Sequence, residues 1–291
     1  MKVTRKGVKT IQDLLTKREP SLPDTPASRE FLNNVSDAGN LGVVRGKRII
    51  LTSEDVRVLA QAYTKVLGQP VYSFKLDASD YLEAAKQTPQ EKIASASGPF
   101  AGLMHMAGTY PEGIPFVDGV NPVTPPGTFL FAEPAQLDMT RIGHVLIVEN
   151  GTLFRHWERM VHIMPDPERT LILYRGHDQA AKLVLELLKK ENGRCMFTVF
   201  FDLDGAGLEK AEQFACAGAQ QVILPSLDAV LHNGMSKAEE FAKQRHQLFG
   251  VIERNRYRCL TRSGNQLKDG EFAITQETLI AQNVPLSAYQ L

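Results

Sequence analysis

Residues 144–150, HVLIVEN, and 195–207, CMFTVFFDLDGAG, decide the fold. Each is an apolar run of strand length that ends in acid, Glu149 in the first and Asp202 with Asp204 in the second. Helical spacing follows both: GTLFRHWERMVHI after the first, GLEKAEQFACAG closed by Gly218 after the second. Between them lie TLILY (170–174), running out at Arg175–Gly176–His177–Asp178, and QAAKLVLELLKKENG, closed by Gly193; QQVILP (220–225) ends the series. Strands apolar along their whole length, alternating with helices of about 10–15 residues, predict an α/β domain whose parallel sheet is covered on both faces. Four such strands with right-handed crossovers fit into residues 141–225. Ligands of an open parallel sheet collect at the carboxyl ends of its strands, where all three acids stand.

Asp202 and Asp204 are two apart, so they point to one side while the strand persists. Carboxylates buried together repel and lose hydration. A divalent cation removes that cost, and a set of hard oxygen ligands suits Mg²⁺, with Mn²⁺ as a substitute. Asp204 could instead simply cap the helix that follows, which accounts for one acid but not for the pair and Glu149. DLDGAGLEKAEQ fits an EF-hand loop at Asp202, Asp204 and Gly207 but fails at Ala206 and Gln213, and a strand precedes it. FFDLDG also fits the first motif of haloacid-dehalogenase-type phosphatases, with Asp202 as nucleophile. That motif expects Thr or Val where Ala206 stands, and a late acidic pair, whereas only Asp228 and Asp269 remain after QQVILP.

Outward from this block, the first seventy residues read as helix-rich. GVKTIQDLLTK (7–17) puts Val8, Ile11, Leu14 and Leu15 on one stripe. A proline-rich break (Pro20, Pro23, Pro26) separates it from ASREFLNNVSDAG, with Gly39 as a C-cap. A short hairpin turning at Gly46 and a helix from Thr52 or Ser53 complete a winged-helix outline for residues 1–70. Residues 1–60 carry eleven basic against seven acidic side chains, and Arg45, Lys47 and Arg48 sit on the wing, where they could meet DNA phosphates or merely be solvated. Residues 71–140, broken by prolines from Pro89 to Pro126, show one clear strand, GTFLFAEP, and otherwise read as a connector or dimerisation arm. Residues 226–291 read as a basic extension completing the parallel domain: eight basic against three acidic side chains over 237–268, with Arg254, Arg256 and Arg258 alternating as on a strand with one basic face.

The 291 residues contain 33 Lys+Arg and 33 Asp+Glu, which excludes a uniformly basic nucleic-acid coat but not a local basic patch. Three scattered cysteines, Cys195, Cys216 and Cys259, make no disulfide framework or zinc motif, and point to a reducing cytoplasm. The basic start, MKVTRKGVKTIQDLL, lacks the apolar core of a signal peptide, and no apolar run reaches membrane-spanning length. Trp157 reads as a core or interface anchor, His177 as a loop residue that could reach phosphate, and Asn150 as a residue that could hydrogen-bond near the first metal. His144, His156 and His162 lack metal spacing.

A strand ending in Glu (VLIVEN, Glu149), a β/α unit, then a strand ending in Asp-x-Asp (FFDLDGAG, Asp202 and Asp204) resembles the Toprim domain of topoisomerases, primases and related nucleases. The combination is most similar to the nuclease subunit of Wadjet/Mks plasmid-defence systems (JetD/MksG), and more distantly to the A subunit of topoisomerase VI. The late segment GEFAITQETL, with Glu271, Gln276 and Glu277, resembles an acidic stretch near the carboxyl end of that family. The resemblance covers about 143–225 well, 1–70 and 250–291 weakly, and 71–140 not at all. It implies a Mg²⁺-dependent DNA endonuclease with Glu149, Asp202 and Asp204 as metal ligands and Glu277 as a supporting acid. It further implies a homodimer that cuts double-stranded DNA within an SMC-like ATPase complex. The topoisomerase relatives attack DNA with one of two tandem tyrosines, whereas Tyr63 here is followed by Thr64, so hydrolysis by water is expected. Two alternatives stand beside this reading: the phosphatase using Asp202, and a non-catalytic winged-helix DNA-binding subunit with a degenerate Toprim fold.

Overall fold

The computed structural model describes residues 3–35, 41–77, 85, 102–176, 179–226 and 238–291. The chain forms two compact units, Met1–Ala101 and Gly102–Leu291, each with its own core.

In the first unit the amphipathic helix α1 (Arg5–Leu15) buries Val8, Ile11 and Leu14, while Leu15 stays 42% exposed. The proline-rich stretch is not a plain break: β1 (Ser21–Pro23) pairs antiparallel with β3 (Arg48–Ile50), giving the sheet order β1-β3-β2 with β2 (Val43–Arg45). Pro23 is tolerated because β1 is an edge strand, where a missing N–H costs no ladder bond. Helix α2 (Pro26–Asn33) lies between β1 and the hairpin in the chain; the expected cap at Gly39 lies outside the described residues. Helix α3 (Ser53–Leu67) starts at a capping box between Thr52 and Asp55 and stops at Gly68, whose φ of 72° suits glycine. Tyr63 on α3 is 2% exposed. Its hydroxyl lies against α1 so closely that a Cβ on Gly7 would come within 2.2 Å of it.

The second unit is mixed α/β, a seven-stranded sheet flanked by helices, in the order β10-β9-β8-β6-β7-β4-β5. The four central strands are β6 (His144–Val148), β7 (Thr170–Tyr174), β8 (Met196–Phe200) and β9 (Gln221–Pro225). They are parallel, as their uninterrupted apolar runs require. Residues 102–140 are no connector. β4 (Met104–Gly108) and β5 (Leu130–Ala132) extend the sheet antiparallel beside β7, with Met104, Met106 and Ala107 fully buried. At the other edge β10 (Leu286–Gln290) runs antiparallel to β9. The helical pattern after β6 is only partly α-helix: α4 (Gly151–Arg155) gives way to a 3₁₀ stretch over Trp157–Ile163. Trp157 is buried and donates to the Thr128 carbonyl at 3.0 Å, which makes it a core anchor. Helices α5 (Gln179–Glu191) and α6 (Gly205–Ala217) follow β7 and β8. The chain then forms α7 (Ala238–Arg254), α8 (Arg258–Gly270) and α9 (Gln276–Ala281) before β10.

The sheet order creates the site. β6 leads to β7 on one side and β8 leads to β9 on the other, so the connections leave β6 and β8 in opposite directions. A crevice opens between the carboxyl ends of two such strands. Their registered ends, Val148 opposite Phe200, set Glu149 next to the segment that carries Asp202.

Candidate functional site: an acidic crevice between β6 and β8

The Asp-Leu-Asp segment is pinned by a two-residue antiparallel bridge. Leu203 N–H donates to the Ile274 carbonyl at 2.8 Å and Ile274 N–H donates back at 3.0 Å. Leu203 is buried, so the extended backbone turns Asp202 and Asp204 to the opposite side together. Asp204 is also the N-cap of α6, accepting the Gly207 N–H at 2.6 Å; the capping reading and the site reading both describe this residue. The glycines of DLDGAG allow the close packing: a Cβ on Gly207 would lie 2.0 Å from the Asp202 carbonyl oxygen, and one on Gly205 would lie 2.4 Å from that of Gln244.

The bridge also delivers α9 to the crevice. The Gln276 N–H donates to Asp202 Oδ1 at 2.8 Å, its side-chain oxygen accepts the Asn150 N–H at 3.0 Å, and its amide donates to the Phe200 carbonyl. Gln276 is fully buried, and joins the ends of β6 and β8. Asn150 caps α4, accepting from Thr152 and Leu153, and donates its amide to Glu277. Four of the acids singled out in the sequence thus lie near one another, with Asp204, Glu149 and Glu277 all close enough to act on the charge of Asp202. Glu271 does not join them; it is exposed at the end of α8. Of the remaining expectations, His177 lies outside the described residues.

Two cations that sequence reasoning assigned no role complete the site. Lys210, one and a half turns into α6, pairs with Glu149, and Arg175, just past β7, lies 3.5 Å from the same carboxylate oxygen. Both are remote from Glu149 along the chain, so no local pattern reveals them. Burial pushes Asp202 up to about 6, against the Gln276 hydrogen bond and with help from the negative charges of Asp204, Glu149 and Glu277. Burial likewise raises Asp204, opposed by its hydrogen bonds from Gly207 and Gln244 and by the Lys210 charge.

Among the described residues no three acids, imidazoles or thiols converge closely enough to hold a metal ion in this arrangement. Lys210 and Arg175 supply the positive charge to Glu149 instead. The donor set nevertheless suits a hard divalent cation: Glu149 Oε2 and Glu277 Oε2 are buried without a hydrogen-bond partner among the described residues, beside a carboxyl that burial has made hard to ionise.

Residues 112–288 match DUF7281, a domain of unknown function. The chain belongs to this family. No curated protein matches the chain. The DUF7281 match begins before β5, ends within β10 and includes all four acids with Lys210, Arg175 and Gln276, while the whole first unit lies outside it.

The basic residues divide differently from the expectation. Arg45 and Lys47 are exposed on the β2–β3 hairpin, whereas Arg48 donates to the Ser21 hydroxyl at 2.8 and 3.0 Å. Arg254, Arg256 and Arg258 are not on a strand. Arg254 ends α7 and pairs with buried Glu212, Arg256 lies in the turn with its guanidinium 3.5 Å from Cys216 Sγ, and Arg258 opens α8. The alternation around Tyr257 is the break between two helices, set by Asn255 at a φ of 43°.

Gln276 gives a direct stability test. Replacing it with Leu keeps the volume but orphans the Asn150 N–H and the Phe200 carbonyl in the interior. The expected loss is about 2–4 kcal/mol, read from urea denaturation midpoints. An unchanged midpoint would show that Gln276 does not tie the strands.

Proposed function

We propose that this protein is a metal-dependent DNA endonuclease, with a Toprim-like catalytic unit and a winged-helix-like first unit. The observation that carries the proposal is the clustering of Glu149, Asp204 and Glu277 about Asp202 at the ends of β6 and β8, with two buried carboxylate oxygens left unpartnered among the described residues. The strand-Glu, strand-Asp-x-Asp order supports it. Mg²⁺ bound by these acids would lower the pKa of water and neutralise charge on the phosphate undergoing displacement. The chain's own residues do the rest. Gln276 holds Asp202 against the end of β8, Asn150 holds Glu277 against the start of α4, and Lys210 and Arg175 orient Glu149. Arg45, Lys47 and Arg256 carry exposed positive charge suited to the DNA backbone. A cytoplasmic homodimer working with an SMC-like ATPase in plasmid defence is the setting this reading favours.

Nicking of supercoiled plasmid by the full chain, with Mg²⁺ and with EDTA, tests the proposal. No cleavage in either Mg²⁺ or Mn²⁺, alone or with the ATPase partners, would favour the non-catalytic DNA-binding reading. The phosphatase reading is weakened by the Gln276 N–H, which ties up one oxygen of Asp202, and by Ala206, which stands where that motif expects Thr or Val.

Cleavage should leave free DNA ends. Tyr63 is buried in the first unit's core, and burial raises its phenol above the ordinary value, which opposes nucleophilic attack. Quenching with detergent should therefore release protein-free DNA, and Tyr63→Phe should cut at a near-normal rate. A protein–DNA adduct that disappears in Tyr63→Phe would establish transesterification.

A further inference from the structure

The second unit holds another cavity, formed by one face of α8 against β9 and β10, with a volume of about 480 Å³. Arg258, Arg262 and Gln266 are four residues apart on the helix and line one side of it; Tyr289 and Leu224 line the other. Among the described residues no acidic side chain contributes to the lining.

Three features are unexplained by folding alone. Neither Arg258 nor Arg262 has an ion-pair or hydrogen-bond partner among the described residues, although nearby Arg254 is paired with two glutamates. Ser263, at 4% exposure, lines the cavity with a hydroxyl that makes no hydrogen bond to a described residue. Gln266 Oε1 is buried and has no donor among the described residues. Helix α8 also starts without a side-chain cap, with Tyr257 at the N-cap position, and its first residue, Arg258, lines the cavity. Leaving the Ser263 hydroxyl and Gln266 Oε1 unmatched is costly, while the two exposed guanidiniums leave positive charge unneutralised at the rim; a ligand that supplies an anion together with a hydrogen-bond donor would match both.

We propose that this cavity is a second ligand site, which binds a nucleoside phosphate. The two guanidiniums and the α8 N-terminus take the phosphates, Ser263 and Gln266 take hydroxyl or amine groups of the nucleoside, and Tyr289 with Leu224 offers the apolar wall. The volume leaves room for more than a lone phosphate ion, because cavities of several hundred Å³ suit whole small molecules. The site shares no residue with the acidic crevice and needs no metal. It therefore stands whether or not the nuclease reading holds.

Isothermal titration of the full chain with ADP in EDTA tests this, with adenosine and inorganic phosphate as separate probes. ADP should bind saturably, and each half alone at least about tenfold more weakly. The Arg258→Gln/Arg262→Gln variant should lose at least about tenfold in ADP affinity, since it removes two charge-assisted contacts. Asp204→Asn, in the other crevice, should bind ADP as the wild type does. Both arginines are exposed, and thermal melting without ligand verifies that the variant is folded; Gln266→Met, expected to weaken ADP but not inorganic phosphate, is the second variant. Absence of saturable ADP binding, phosphate binding as tightly as ADP, or undiminished binding by the arginine variant would each overturn the proposal.

Discussion

Asp204→Asn should abolish Mg²⁺-dependent plasmid nicking while leaving the second unit folded. Asn is the informative replacement because Asp204 has two jobs. Its side chain caps α6 through the Gly207 N–H, and Asn retains an acceptor for that bond. What Asn removes is the charge, on a carboxyl that burial has already made costly to ionise. If the acids act together on the phosphate, losing one should cost at least about 10²–10³ in rate. The readout is the initial rate of conversion of supercoiled to open-circular plasmid, with helix content verified by circular dichroism. Wild-type nicking by Asp204→Asn would reduce Asp204 to a helix cap and remove the main support for the catalytic reading.

Legibility in the sequence followed burial and chain distance. β6 to β9 could be read because a parallel strand covered on both faces is apolar at every position, so each appears as an unbroken run ending at the residue that matters. β4 is equally buried but was illegible: MHMAG has no β-branched residue and sits among prolines and glycines. β1 hid in a proline-rich stretch because three residues on a sheet edge need little propensity. Asp202, Asp204 and Glu149 lay at visible strand ends. Glu277 came from a family likeness, and its geometric reason, the Leu203–Ile274 bridge, joins residues too far apart for periodicity to register. Lys210 and Arg175 were missed for the same reason, being opposite charges that meet only after folding. Around Arg254, Arg256 and Arg258, an alternation of two imitates a strand where two helices abut.

The second large effect is on stability without metal. Asp202→Asn should make the metal-free protein more stable at neutral pH, although it removes a charged group from the candidate site. The folded state holds this carboxyl at about 6 against an ordinary 3.8, so it binds the proton more tightly folded than unfolded. Between about pH 4 and 6 the folded state carries more protons, and stability falls as pH rises through that window. Above about pH 6 the full cost of the buried charge is present; below about pH 4 it is gone. A shift of about two units sets a ceiling near 3 kcal/mol, and about 1–3 kcal/mol is expected once residual solvation is allowed for. Asn keeps an oxygen for the Gln276 N–H, so the bridge to α9 need not be lost. In EDTA at pH 7.5 the variant should melt about 3–8 °C above the wild type, and the difference should vanish near pH 4. Mg²⁺ should then act in the opposite sense, raising the melting temperature of the wild type by mass action while leaving Asp202→Asn nearly unmoved. A variant less stable than wild type at pH 7.5 in EDTA would show that Lys210 and Arg175 already neutralise the crevice, and that the site is a structural ion-pair network with no electrostatic vacancy for a cation.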